Sequence, residues 1–431
     1  MWPNKTACQA PVAQRLAEAA GLLGLGVFAF GYIGGRAIAN IGLGLLLLAF
    51  LLQLPRCHRF LRRDPLVLLG LAWMGYILAL ASWANWRDPD TGQYSALTET
   101  WSFAFIPLVA LATRGNSRRV LGVLLLALGG LMFRLVRDLN FDGGAWLRYD
   151  AFALGGGRNL GVLFIDVGIL GCITLLTCLF GRSWPPVRRF TAIVAIGACV
   201  VLLVYAWVQA RSRLSLIGLP LCLVLLFVLR RRTLPHNHRT VRALYVALLL
   251  GMALGVATYW SEIAAELIKD GATWRALISG RLDAVEIDAT GYRIHMWQLA
   301  HSYWIAHPLT GVGPSVSHLL ASDPQRPFLA GFNQFHNSYV ELLLRTGLIG
   351  ATFYLSAALL VVHAAVQATR TGAMPRALGD FLLVSFLIYA LLCTANSILF
   401  FQQGWHFLVL FGGLAYGYRW RPVVTPPPTR P

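Results

Sequence analysis

The chain has 431 residues, of which 57% are hydrophobic and only 13% are charged, and its mean hydropathy is +0.63. Soluble globular domains have roughly 45–50% apolar and about 25% charged residues, so this composition excludes a soluble protein and predicts a polytopic membrane protein. The formal net charge is +18, but no basic helix with interleaved aromatic residues is present, so the charge indicates membrane topology and an anionic substrate, not nucleic acid.

Apolar runs that are long enough to cross a hydrocarbon core of ~30 Å recur along the chain and predict transmembrane helices. The fifth and the twelfth of these runs are short. The segment from Met1 to Arg15 is polar, and the first apolar run has no small-residue cleavage site, so we expect no cleavable signal peptide. The twelve runs are centred near Gly26, Leu45, Met74, Ile106, Leu126, Ile169, Val200, Leu221, Leu250, Tyr354, Phe386 and Val409.

The placement of arginine tests this count, because cytoplasmic connections carry an excess of Lys and Arg. If the N-terminus is cytoplasmic, every basic cluster falls on the cytoplasmic side, which predicts twelve spans with both termini inside. None of the seven cysteines lies in a predicted outer loop, and no Cys/His cluster occurs, so neither a disulfide nor a zinc site is expected. The basic clusters lie at 56–63, 114–119, 182–189, 230–239, 370–376 and 419–430.

The longest connection, 261–335, separates the ninth and tenth spans and is rich in Trp and Tyr, which predicts amphipathic helices at the membrane interface. The predicted fold class is therefore an all-α polytopic membrane protein with about 12 transmembrane helices and one large helical outer loop. We divide the chain into spans one to nine (1–260), the outer loop (261–335), a helix start with spans ten to twelve (336–421) and a disordered Pro-rich tail (422–431).

Two outer segments carry arginines that a lipid-facing helix would not. Arg211 and Arg213 lie in a tight turn between the seventh and eighth spans, where each would cost about 2.5–3.5 kcal/mol if it faced lipid at depth. They either snorkel to the interface or face an anion. Arg293 lies four residues before Trp297 on one helix face, where a cation–π pair is the alternative interpretation. The Gly- and Pro-rich segment 307–313 predicts a tight turn that ends this helix.

A third outer segment begins with His336 and Asn337, directly before an amphipathic helix. The helix N-terminus would lower the pKa of His336 and favour the neutral imidazole, which suits a general base. The alternative interpretation is a histidine with a structural role. Two carboxylate pairs in outer segments are alternative metal sites, although such pairs are common in solvated loops. They are Asp88 with Asp90 and Glu286 with Asp288.

In this order and spacing, the three segments resemble the O-antigen ligase and polymerase superfamily of bacterial envelope enzymes. The resemblance covers roughly 158–350. It rests on Ser212-Arg213, on Arg293 with Trp297, on the 307–313 turn and on His336-Asn337. Less specifically, it also rests on the Gly-rich segment 155–161, which contains Arg158 and Asn159.

The resemblance implies a glycosyltransferase C-like fold and the transfer of a polysaccharide from undecaprenyl diphosphate to the lipid A-core. Such transfer inverts the anomeric centre and takes place on the periplasmic face of the bacterial inner membrane. The expected partners are the lipid-linked donor, the lipid A-core acceptor and membrane lipids, with no nucleic acid, cofactor or metal. The implied diphosphate ligands are Arg158, Arg211, Arg213 and Arg293. The implied catalytic residues are His336 as base and Asn337, which orients either His336 or the acceptor.

Two alternatives stay open. The related polymerases share the arginines and the loop but lack a dependable counterpart of His336. A transporter would also have many spans and intramembrane arginines, and an acid within a span, such as Asp166, would favour it. The large outer loop and the lack of detectable symmetry between the two halves of the sequence favour the ligase.

Overall fold

The structure is a computed structural model that describes residues 12–138, 158–180, 185–210, 212–231, 238–258 and 260–421. Within these residues the chain is helical and contains no β-strand. The α-helices in chain order are α1 (Val12–Gly34), α2 (Arg36–Leu61), α3 (Pro65–Arg87), α4 (Leu97–Thr100), α5 (Ile106–Thr113), α6 (Ser117–Arg137), α7 (Arg158–Phe180), α8 (Pro186–Ala210), α9 (Arg213–Arg230), α10 (His238–Thr258), α11 (Trp260–Lys269), α12 (Gly271–Ile278), α13 (Ala289–Ala306), α14 (Ser317–Ser322), α15 (Ser338–Arg370), α16 (Arg376–Leu392) and α17 (Gln402–Tyr416).

Nine helices in the described part of the chain are long and apolar enough to cross a membrane, namely α1, α2, α3, α6, α7, α8, α9, α10 and α15. The protein is therefore an all-helical polytopic membrane protein, as predicted. The other three predicted spans, at Ile106, Phe386 and Val409, coincide with the shorter helices α5, α16 and α17. The fifth predicted run, centred near Leu126, is longer than expected, because it forms the 21-residue helix α6. The count of twelve spans stays a prediction.

The three shorter helices are largely enclosed by other helices. All eight residues of α5 are buried, and nearly every residue of α17 is buried. Helix α17 packs on α5, while α16 packs on α7 and α9. A helix surrounded by protein does not have to match the thickness of the hydrocarbon core, because its neighbours satisfy its ends. This enclosure explains why these apolar runs are short.

The segment between α10 and α15 contains four α-helices, α11 to α14. Its second half has a hydrophobic core of its own, in which Met296 and Leu299 of α13 meet Phe335 and Leu344. This core fixes α13 against the first turns of α15. By contrast, α11 and α12 expose large apolar side chains, a property of helices that lie at a membrane interface. The exposed side chains are those of Trp260, Ile268, Trp274 and Ile278. The assignment of 261–335 to the outer side stays a prediction.

Helix α15 is broken at Gly347, whose φ of 61° and ψ of −165° are non-helical. The 307–313 turn, which ends α13 as predicted, fills this break. A Cβ at Gly311 would lie 2.5 Å from the Leu344 carbonyl oxygen, and one at Gly347 would lie 2.2 Å from the Leu309 carbonyl oxygen, so only glycine fits at both positions. Four backbone hydrogen bonds of 2.9–3.1 Å cross the break, from Val312 and Gly313 to Leu344 and Arg345 and from Leu348 and Ile349 to Pro308 and Leu309.

Candidate functional site

Three of the predicted site residues lie together at one end of the helix bundle. Arg213 is the first residue of α9, Arg293 lies near the start of α13, and His336 lies two residues before α15. The charges of Arg213 and Arg293 both act on Asp270, and the charge of Arg293 also acts on His336. We call this end of the bundle, at which α9 and α15 begin, the site end.

The two arginines lie near Asp270, a residue that the sequence motifs did not single out. It is fully buried between α11 and α12. Its Oδ2 accepts hydrogen bonds from Arg213 Nη1 and from Thr290 Oγ1, both at 2.6 Å. Burial by itself would raise the pKa of Asp270, but the bonds from Thr290 and Arg213 and the charges of both arginines hold it below its usual value. Asp270 is therefore a carboxylate that orients Arg213.

Arg293 is half-buried and, within the described residues, makes no hydrogen bond or ion pair. Burial and the nearby charge of Arg213 lower its pKa, while Asp270 opposes that shift. The described residues also show no cation–π contact between Arg293 and Trp297. Instead, Trp297 Nε1 donates to the Phe335 carbonyl oxygen at 3.0 Å. Two guanidinium groups beside a single carboxylate leave an excess of positive charge, so this arrangement favours an anion.

His336 is neutral at physiological pH. Its pKa is lowered to about 4, first by burial and then by the charge of Arg293, while Glu341 and a hydrogen bond with Asn396 act in the opposite direction. The predicted cause was the helix N-terminus, whereas burial and Arg293 are the main causes in the structure. A neutral imidazole can accept a proton, so His336 has the protonation state that a general base requires.

The backbone at His336 is held in an uncommon conformation. Its φ of 51° lies in the left-handed region, which non-glycine residues rarely adopt. The preceding residue is fixed on both sides, because the Phe335 N–H donates to Glu341 Oε2 at 3.2 Å and its carbonyl accepts from Trp297. Glu341 is itself held by Arg345, whose Nη2 donates to Glu341 Oε1 at 2.6 Å. Strained backbone conformations that the surrounding contacts hold in place are found most often at functional sites.

The two asparagines near His336 have different roles. Asn337 Oδ1 accepts from the backbone N–H groups of Tyr339 at 2.9 Å and Val340 at 3.2 Å, so Asn337 is the N-cap of α15. The side chain that hydrogen-bonds to the His336 ring is Asn396, in the connection between α16 and α17, and this bond raises the pKa of His336. A neutral imidazole has one protonated ring nitrogen and one that can accept a proton. No motif in the sequence singled out Asn396.

The remaining candidate ligands are placed only in part. Arg211 lies outside the described residues. Arg158 is the first residue of α7, and the structure describes its backbone only. Of the carboxylate pairs, Asp288 caps α13 through hydrogen bonds from Thr290 and Gly291. Asp88 and Asp90 are exposed. In the part of the chain that the structure describes, no three His, Cys, Asp or Glu side chains converge as a metal site would require.

Asp166, the acid within a span that would favour transport, is fully buried. Ser215 Oγ lies 2.8 Å from both carboxylate oxygens of Asp166 and accepts from Trp207 Nε1 at 2.7 Å. This network joins α7, α8 and α9 two residues beyond Arg213 in the sequence. These hydrogen bonds give Asp166 a structural role, because they fix the start of α9.

Part of the chain matches a known family. Residues 198–355 match the family model described as O-antigen ligase, and the matched segment contains Arg213, Asp270, Arg293 and His336. A search of curated proteins found no match to the chain. Over these residues, the match confirms the resemblance to the O-antigen ligase superfamily that the motifs indicated.

Proposed function

We propose that the protein is an O-antigen ligase that transfers a polysaccharide from undecaprenyl diphosphate to the lipid A-core. The observation that carries this proposal is that Arg293, which pairs with no other described residue, is close enough to Arg213 and to the neutral His336 for its charge to act on both. Glycosyl transfer from a lipid diphosphate needs a cationic site for the leaving group and a proton acceptor for the attacking hydroxyl. The site end supplies both.

The leaving diphosphate binds to Arg293 and Arg213 in this proposal, with Arg211 and Arg158 as further candidate ligands. A planar guanidinium can donate two parallel hydrogen bonds to one phosphate, and it stays charged when it is partly desolvated. The N-terminus of α9 adds its partial positive charge beside Arg213. Because these groups supply the positive charge that the leaving group requires, the proposed reaction uses no metal ion and no cofactor.

His336 accepts the proton in the transfer step. As the acceptor oxygen bonds to the anomeric carbon, its proton moves to the free ring nitrogen of His336. The bond between the anomeric carbon and the diphosphate oxygen breaks, and its electron pair leaves on the undecaprenyl diphosphate. Attack from the face opposite the diphosphate inverts the anomeric centre. Asn396 orients the ring in this scheme, and Asn337 acts through the helix that it caps.

The proposed orientation has both termini in the cytoplasm and the site end in the periplasm of a bacterial inner membrane. Support comes from the arginines, since Arg56 and Arg59 lie near the end of α2 and Arg370 ends α15, so both groups lie away from the site end. Cytoplasmic connections carry such an excess of basic residues.

Substitution of the two arginines by lysine tests the diphosphate assignment. Arg213→Lys and Arg293→Lys keep the charge but lose the bidentate fork, so each should lose most transfer activity. Arg281→Lys is the matched control, because Arg281 is exposed in the same connection. Transfer is measured with purified protein, lipid-linked donor and lipid A-core acceptor. Near-normal transfer by both site variants would refute the assignment.

A deletion strain separates the ligase from the related polymerase. Loss of the ligase leaves lipid A-core without long polysaccharide while carrier-linked polymer accumulates. Loss of a polymerase instead leaves single repeat units attached to the core. Single repeat units attached to the core would therefore show that the protein is a polymerase and not a ligase.

A further inference from the structure

A cavity of about 570 Å³ lies at the site end, apart from the arginines described above. This volume is within the ~300–1,000 Å³ range of small-molecule sites. Its walls come from the start of α2, from the segment 98–105 and from the segment 400–405 at the start of α17. Neither Arg293 nor His336 lines it, so the cavity is not part of the diphosphate site.

The side chains around this cavity combine aromatic rings with amides. The rings belong to Trp101, Phe400 and Trp405, and the amides include Asn40 and Gln402. A pyranose sugar presents a face of C–H groups that packs on aromatic rings and a rim of hydroxyls that both donate and accept hydrogen bonds. An amide also both donates and accepts. Gln402 Nε2 donates to Asn40 Oδ1 at 2.6 Å, which fixes the orientation of both amides.

Two charged side chains complete the lining. Arg36 contributes a guanidinium and Glu99 a carboxylate. A carboxylate forms strong hydrogen bonds with sugar hydroxyls, and a guanidinium favours a sugar that carries a phosphate or carboxylate substituent. We propose that this cavity binds a saccharide unit of the glycan substrates, an inference that rests on the proposed glycosyl transfer.

The cavity is connected to the segment that carries the base. Glu99 Oε2 accepts from Arg345 Nη1 at 2.8 Å, and Arg345 Nη2 donates to Glu341 Oε1 at 2.6 Å. Glu341 Oε2 in turn accepts from the N–H of Phe335, the residue before His336. The guanidinium of Arg345 also lies 4.3 Å from the ring centroid of Phe400, in the cavity wall. A sugar bound here is therefore held by the same ionic network that fixes the backbone of the base.

Binding to the full-length protein in nanodiscs tests this proposal without any transfer reaction. Two probes are used, a core oligosaccharide released from lipopolysaccharide by mild acid and a fragment of the O-polysaccharide. We expect saturable binding of one probe by calorimetry, weakened about tenfold by Trp101→Leu and by Asn40→Ala. Trp86→Leu is the matched control, because Trp86 is 80% exposed and lies outside the cavity. Arg293→Lys should bind the sugar normally.

Either probe supports the proposal, and the probe that binds identifies the source of the sugar as the acceptor or the donor. The proposal is overturned if neither probe binds, or if Trp101→Leu and Asn40→Ala bind as well as Trp86→Leu does. Should Trp101→Leu fail to fold, the exposed position of Asn40 keeps the test available. Sugar binding and transfer are measured separately. A protein that binds the sugar but does not transfer the polysaccharide would therefore contradict the proposed ligase function alone.

Discussion

The pH dependence of transfer tests the role of His336 most directly. With a pKa of about 4 in the free protein, the ring is ~90% neutral at pH 5, whereas a histidine with the ordinary pKa of ~6.5 is only ~3% neutral there. The ratio kcat/KM reports the free enzyme. It should therefore stay nearly constant from pH 8 to pH 5 and fall as the pH drops through about 4, because protonation removes the base.

The pH dependence of kcat should differ, because kcat reports the enzyme–substrate complex. In the proposed reaction the donor brings a diphosphate anion to Arg293, and the charge of Arg293 is one cause of the low pKa of His336. A negative charge within ~4–6 Å stabilises the imidazolium and raises the pKa by ~1–3 units. The acid limb of kcat should therefore lie at about pH 5–7, above the limb of kcat/KM. Donor binding would thus bring the base closer to the working pH.

The assay measures initial transfer rates at limiting and at saturating donor from about pH 3 to pH 8, with circular dichroism to show that the protein stays folded. His336→Gln is the control variant. It should lose ~10²–10⁴-fold in kcat and show no limb from an imidazole. A kcat/KM limb near pH 6.5 would contradict the burial of His336 in the free protein. A kcat limb below that of kcat/KM would contradict the placement of the diphosphate beside Arg293.

Three further predictions concern the metal, the kink and the topology. Transfer by the purified protein should persist in EDTA, because arginines supply the positive charge; loss of activity that magnesium restores would move the site to a carboxylate pair. Gly347→Ala forces a Cβ to 2.2 Å from the Leu309 carbonyl oxygen at a φ of 61°, so it should destabilise the fold by at least ~1–3 kcal/mol. A thermal-shift measurement checks this against Gly251→Ala, where a Cβ meets nothing within 4 Å. A cysteine placed at the exposed Ala321 should react with an impermeant thiol reagent in intact spheroplasts. Labelling only after lysis would contradict the proposed topology.

The helices of this protein could be predicted from its sequence because lipid imposes a simple rule on apolar runs. Every predicted centre lies in a helix. The rule does not give helix length for segments that protein encloses, and α5, α16 and α17 are such segments. It also does not show how the backbone at the Gly347 break is satisfied, because the turn that hydrogen-bonds to it comes from 307–313.

The arginines and the histidine of the site could be predicted because each is out of place in its segment. Arg213, Arg293 and His336 are polar groups at the ends of apolar or amphipathic helices. Asp270 and Asn396 could not be placed in the site in the same way. Asp270 lies 57 residues from Arg213 in the sequence, and Asn396 lies 60 residues after His336, so only the tertiary fold brings each to its partner. Polar residues that act through a distant partner have no local pattern.

In the proposed function, the pair formed by Arg213 and Asp270 allows the site to be stable when empty and still to bind an anion. Arg213 is the first residue of α9, where its charge is unfavourable because the helix N-terminus is itself positive. Asp270 offsets this cost through one oxygen at 2.6 Å. A single carboxylate cannot neutralise both Arg213 and Arg293, so positive charge remains for a diphosphate. An anion that bridges the two guanidinium groups would therefore gain attraction without breaking the bond that orients Arg213.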